Sequence, residues 1–242
     1  MLPLQDINPR RSLPILTWAF IAINIFVFIW ELSLSDRALQ QAFIEYAVVP
    51  SRLLAAPFSL EAFLDVVRSM FLHGGFEHII GNMLYLYLFG DNIEDRLGKI
   101  GFLVIYFVSG FVAAFGQALI DPTSNIPMIG ASGAIAGILG SYLVLFPQVK
   151  VRGLIFFGYF ASVRELPAII VLGFWFVLQL LNGFGSLGAT SEYGGGVAFF
   201  AHIGGFIAGL LITQVLMRLI PQEEAPQRNQ WAYDKRKRSP WY

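Results

Sequence analysis

The chain contains no cysteine, which excludes a disulfide framework and a thiolate zinc site. It has three histidines, and none stands in the H-E-x-x-H spacing that sets two metal ligands on one helical face. A metallopeptidase built on His73, His78, His202 and Glu77 therefore has no pattern behind it. No internal repeat with paired broken helices, the mark of many transporters, is visible. Charge is scarce as well, with 13% of the 242 residues charged and a net charge of zero. No nucleic-acid partner is expected, and any electrostatic argument rests on where the charges lie.

What the chain has in abundance is apolar surface. Hydrophobic residues make up 56% of it and the mean hydropathy is +0.65, which does not suit an ordinary soluble exterior. Uncharged runs long enough for a bilayer, about 20 residues, occur at Ser12 to Trp30, Ile100 to Ile120, Pro122 to Val149, Leu166 to Ser191 and Tyr193 to Met217. A shorter run from Gly74 to Gly90 is interrupted only by Glu77. The expected fold is all-α, a polytopic bundle of six spans in the lipid bilayer. Residues 1–11 form a lead, 12–218 the membrane domain and 219–242 a basic tail. Of the 16 Lys and Arg, only Arg37, Arg52 and Arg68 fall on the side opposite the termini, which makes both termini cytoplasmic by the positive-inside rule. The Lys235 to Arg238 cluster is a solvated tail that could touch anionic lipid. The short amino terminus shows no organelle presequence.

Between the third and fourth spans the uncharged stretch is too long for one helix. Pro122 to Ile129 is expected to descend as a re-entrant loop, which is tolerated only where protein or a water-filled cavity shelters its backbone. It leads to Gly130-Ala131-Ser132-Gly133, which places Ser132 in the first turn of an apolar helix. Unpaired N–H groups and the positive end of the helix dipole there favour an oxyanion beside the hydroxyl. Taken alone, such a serine reads first as a helix cap or a small residue for close packing, and only partners elsewhere in the chain overturn that reading.

Other positions supply partners. His78 and Asn82 lie at i and i+4 on one helical face at membrane depth, where polar groups line cavities or glue helices together. On the last span His202 shares a face with Gly205 and Gly209, and Gly133 and Gly137 repeat that glycine spacing on the fourth. If the two glycine faces meet, His202 is carried toward Ser132. Outside the spans, Leu60, Phe63, Leu64, Val67 and Phe71 recur at helical spacing, so Ser59 to Phe71 reads as an amphipathic helix on the outer leaflet or packed on the bundle. The glycine-rich Asn182 to Gly196 reads as a lid or a plain linker.

Together these residues resemble the rhomboid family of intramembrane serine proteases, over roughly His73 to Gly209. The H-x4-H-x3-N pattern is met by His73, His78 and Asn82, and the G-x-S-G box by Gly130 to Gly133. A-H-x-x-G-x-x-x-G is met by Ala201, His202, Gly205 and Gly209, and the E-x-R-x-G turn by Glu94, Arg96 and Gly98. The resemblance implies a six-helix rhomboid-like bundle with Ser132 as nucleophile, His202 as its base and no acid. It also implies that His78, Asn82 and the backbone N–H of Ser132 bind the oxyanion, that His73 is structural, that single-span membrane proteins are substrates, and that no cofactor or metal takes part. A non-proteolytic rhomboid-like protein that binds membrane clients is the alternative, which loss of Ser132 or His202 would have favoured. Two positions depart from the family pattern. Leu64-Asp65 stands near the place of a Trp-Arg pair, and Ala136 stands where some relatives stack a tyrosine on the histidine, so His202 needs another orienting group.

Overall fold

A backbone in hydrocarbon has to satisfy its own hydrogen bonds, and long apolar runs therefore fold as helices. The computed structural model describes residues 2–157, 160–187 and 197–219. In it helix α1 covers Ile15–Leu32, and the short helices α2 (Asp36–Tyr46), α3 (Pro50–Ala55) and α4 (Leu60–Ser69) follow. Ser35 and Ser59 cap α2 and α4 by accepting from the N–H of Ala38 and Ala62. Helix α5 (Phe76–Tyr85) runs through a π turn (Leu86–Gly90) into α6 (Asp91–Ile120). Gly98, at φ 72° and ψ 176°, breaks α6 in a backbone conformation that only glycine adopts at no cost. Helices α7 (Ser132–Leu145), α8 (Ala168–Ser186) and α9 (Phe199–Leu219) complete the bundle.

Among the described residues, four helical runs are long and apolar enough to cross a membrane: Ile15–Leu32, Phe76–Ile120, Ala168–Ser186 and Phe199–Leu219. Helix α7 is apolar but has 14 residues, fewer than the about 20 that span hydrocarbon. Its shortness follows from the segment before it, which stays non-helical as far as Ala131. Residues 188–196 of the glycine-rich stretch and 220–242 of the basic tail, with the Lys235 to Arg238 cluster, lie outside the described residues.

The all-α expectation needs correction, because a three-stranded antiparallel sheet is present. Strand β1 (Leu2–Asp6), read above as part of a polar lead, pairs with β2 (Lys150–Phe157), which pairs with β3 (Phe160–Pro167). Arg152 and Glu165 face each other across β2 and β3 and form an ion pair of 2.7 Å, while Val151, on the opposite face, is fully buried. The outer strand joins Leu2 to Leu154, a pairing between segments far apart in the sequence that no local pattern announces.

Carboxylates of the turn between α5 and the rest of α6 staple the amino-terminal segment to the bundle. Pro14 leaves α1 without a side-chain cap of its own. Glu94 supplies one from α6, accepting from the N–H of Leu16 (3.0 Å) and from the N–H and hydroxyl of Thr17 (2.8 and 2.9 Å). Asp6 of β1 accepts from Asn92 and from the Tyr142 hydroxyl.

Helices α6, α7 and α9 form the centre. Phe20, Phe102 and Tyr106 pack as a ring cluster beneath it, with Phe20 and Tyr106 centroids 4.7 Å apart. Where α7 meets α9 there is no room for side chains: a Cβ on Gly205 would run into the carbonyl of Gly133, and one on Gly209 into that of Gly137. Helix α4 forms, but it turns Ala62, Asp65, Val66 and Ser69 inward and leaves Leu60 and Phe63 exposed. The apolar stripe is divided: Leu60 is left exposed, Phe63 stacks on Phe111 of α6 at 5.0 Å, and Phe71 packs against Phe20 of α1.

Candidate active site

The loop before α7 is fixed at two points. Met128 donates its N–H to the carbonyl of Val48 (2.7 Å), and Gly130 donates to that of Ser69 (2.8 Å). Gly130 itself sits at φ 118°, where an L side chain is strained, and a Cβ there would meet the His78 ring. The glycine thus lets the chain pass directly under His78 and beside Asn82 before it enters the helix. Ala131 closes the loop and offers no side-chain cap, so the first N–H groups of α7 stay open beside Ser132.

Ser132 and His202 are brought together by the glycine contact between α7 and α9. Their Oγ and Nε2 atoms lie 2.8 Å apart. Both residues are partly exposed, so the pair is reachable from outside the packed core. The other ring nitrogen of His202, Nδ1, lies 2.9 Å from Oε1 of Gln179 on α8, and the Trp175 ring lies 6.0 Å from the imidazole at a tilt of 34°. Ala136, buried on α7, contributes no ring there.

His78 and Asn82 project from one face of α5. Asn82 donates through Nδ2 to Nε2 of His73 at 2.9 Å, which makes that nitrogen an acceptor and leaves the proton on Nδ1 of His73, 3.3 Å from the carbonyl of Phe71. His73 is 1% exposed, its ring packs edge-on against His78 with centroids 5.0 Å apart, and its backbone N–H is held by the buried Glu31 at 2.9 Å. Asn82 keeps a second N–H and His78 a ring edge, and both stand by Gly130, two residues from Ser132. A hydroxyl on an imidazole, open helix N–H groups and two further polar side chains therefore lie close together, the components an acyl-transfer site needs.

Gln179, Trp175 and Glu31 were not singled out in the sequence. Gln179 and Glu31 carry a usable signal, because a polar group in an apolar span is costly unless it has a partner. Trp175, flanked by Phe174 and Phe176, looks like any lipid-facing or packing ring.

A family model described as Rhomboid domain matches residues 61–219. The chain is 25% identical over 213 residues to Rhomboid protein 1, mitochondrial, of Saccharomyces cerevisiae (strain ATCC 204508 / S288c), covering 86% of this chain and 55% of that protein. It is 36% identical over 80 residues to Putative rhomboid protease YdcA of Bacillus subtilis (strain 168), covering 33% of this chain and 40% of the other. With RHOMBOID-like protein 4 of Arabidopsis thaliana it shares 34% over 146 residues, 60% of this chain and 32% of that one. The chain spans about half the length, or less, of these curated relatives. With apolar helices fit for a bilayer and a domain match over more than half of its residues, this chain is an integral membrane protein that belongs to the rhomboid family.

Proposed function

We propose that the chain is an intramembrane serine endopeptidase that cleaves transmembrane segments of single-span membrane proteins. The observation that carries this reading is the 2.8 Å contact between Ser132 Oγ and His202 Nε2. Ser132 attacks the scissile carbonyl carbon while its proton passes to Nε2 of His202. The carbonyl oxygen becomes an oxyanion, received by the N–H of Ser132, by Asn82 and by His78. Collapse of the tetrahedral intermediate expels the amine, which takes the proton back from His202 and leaves an acyl-serine. Water, deprotonated by the same imidazole, then releases the acid product and restores the serine.

The six-span topology, with the 122–129 segment as a re-entrant loop, supplies the sheltered but wet setting that this chemistry requires. The charge distribution supports cytoplasmic termini, and a bacterial plasma membrane is the proposed location. A substrate helix has to open before its carbonyl can be reached, so cleavage falls near small or helix-breaking residues. The reading calls for no cofactor and no metal.

The test is labelling of the detergent-solubilised chain by a serine-directed fluorophosphonate, together with cleavage of a single-span reporter. Wild type is expected to label and cleave, and Ser132→Ala and His202→Ala to do neither. Cleavage retained by Ser132→Ala would refute the assignment, and client binding without labelling or cleavage in the wild type would leave the non-proteolytic alternative.

A further inference from the structure

The pair at the centre of the proposed mechanism has a third member. We infer that Gln179 is a positioning residue that sets the tautomer and the ring orientation of His202, so that α8 orients a base carried on α9 toward its partner, Ser132, on α7. This rests on the serine-endopeptidase reading above.

The geometry fixes the direction of the hydrogen bonds. Gln179 Nε2 lies 3.4 Å from the carbonyl of Trp175, one turn earlier on α8, and can only donate to it. The amide oxygen is therefore the atom that faces His202, at 2.9 Å from Nδ1. A flipped amide would set oxygen against oxygen at Trp175. Since Oε1 only accepts, Nδ1 of His202 carries the proton, and Nε2 presents its lone pair to the Ser132 hydroxyl. The opposite tautomer would put an N–H against Ser132 and leave Nδ1 facing an acceptor with nothing to give it.

Gln179 is itself placed by packing. It is 9% exposed, and Trp175 and Phe176, on the preceding turn of α8, pack against Phe206 of α9, with the Phe176 and Phe206 rings stacked at 4.5 Å. Trp175 also borders the imidazole, so one helix bounds both an edge and a side of His202. When Ser132 gives up its proton, His202 becomes an imidazolium with N–H on both nitrogens, and the amide dipole of Gln179 already points its negative end at Nδ1. A carboxylate would do the same more strongly, but an ion buried among apolar helices carries a large desolvation cost. A neutral amide orients the ring with no net charge.

The test compares wild type with Gln179→Met, which keeps length and loses the acceptor, and Gln179→Glu, which keeps an acceptor oxygen. Initial rates of reporter cleavage and of fluorophosphonate labelling are measured in micelles, with thermal melting alongside. Expected for Gln179→Met are a fall in kcat and in labelling rate of about 10- to 100-fold, with KM within about twofold, since a wrong tautomer removes the acceptor only from the chemical step. Gln179→Glu recovers most of that loss in rate, because an acceptor faces Nδ1 again, while its melting temperature falls, because the buried carboxylate is costly. Nitrogen NMR of histidine-labelled wild type is expected to show His202 with its proton on Nδ1, and this measurement needs no variant to fold. Rates unchanged in Gln179→Met, equal losses in both variants, a loss confined to KM, or a proton on Nε2 of His202 in wild type would each overturn the inference. Failure of the peptidase reading is recognised separately, by wild type that neither labels nor cleaves.

Discussion

Asn82 Nδ2 and His73 Nε2 form a 2.9 Å hydrogen bond that ties the amide on α5 to a histidine buried at the helix entrance. His73 therefore reaches the site through Asn82 rather than directly. On the proposed mechanism, His73→Ala and Asn82→Ala each lower kcat, by at most about 10²–10³-fold, the range for loss of one oxyanion donor. Because both act on one hydrogen bond, the double variant should lose little more than the worse single one. Multiplied losses in a double-mutant cycle of reporter cleavage would show that the two act independently.

The glycine seam leaves no tolerance for volume. Gly209→Val would drive two methyl groups against the carbonyl of Gly137, and a loss of about 3 kcal/mol in stability is expected, with separation of α7 from α9. Gly173→Ala on α8, where a Cβ meets nothing within 4 Å, should stay within about 1 kcal/mol of wild type. Equilibrium unfolding in mixed micelles measures both, and equal effects would mean that the seam is not what limits the packing.

Glu94 caps a helix that begins at the far end of a different segment, accepting from the N–H groups of Leu16 and Thr17. Glu94→Ala is expected to cost about 2 kcal/mol, the upper range for a helix cap, since it also strands the Thr17 hydroxyl among buried neighbours. Hydrogen exchange should locate the loss at the first turn of α1. Unchanged protection of Leu16 and Thr17 would contradict the capping role.

Asp65 gives the external segment a pH dependence. It sits on the buried side of α4, 3.5 Å from guanidinium nitrogens of both Arg52 and Arg68. Burial pushes its carboxyl above the ordinary carboxylate range, Arg52 opposes that rise, Glu61 adds to it and Arg68 opposes it. The folded protein thus holds this proton to higher pH than the unfolded chain does. The resulting stabilisation is complete below the ordinary carboxylate pKa of about 4 and is lost as pH rises through the raised value. Melting of the wild type in micelles should fall over that window, and Asp65→Asn should flatten the fall. An unaltered profile in Asp65→Asn would assign the dependence to other groups.

Much of this protein is legible as one-dimensional pattern. Apolar runs mark the long helices, because burial in lipid and internal hydrogen bonding depend on local composition. The glycines paired four apart on α7 and α9, and the spacing of His78 and Asn82 on one side of α5, are legible because helical periodicity converts spacing into a shared face. The sheet was not legible, since Leu2 pairs with Leu154 and β1 has no partner near it in the chain. Which side of α4 packs inward was not legible either, because an apolar stripe in the sequence does not say whether it meets lipid or protein.

What the sequence determined by itself is which segments could enter a bilayer and which few polar residues they would carry there. Only the tertiary structure decided that His202 meets Ser132 on one side and Gln179 on the other, with the Trp175 ring of α8 beside the imidazole. Those contacts depend on how three helices cross. The crossing is set by packing between side chains distant along the chain, and such packing has no local signature to read.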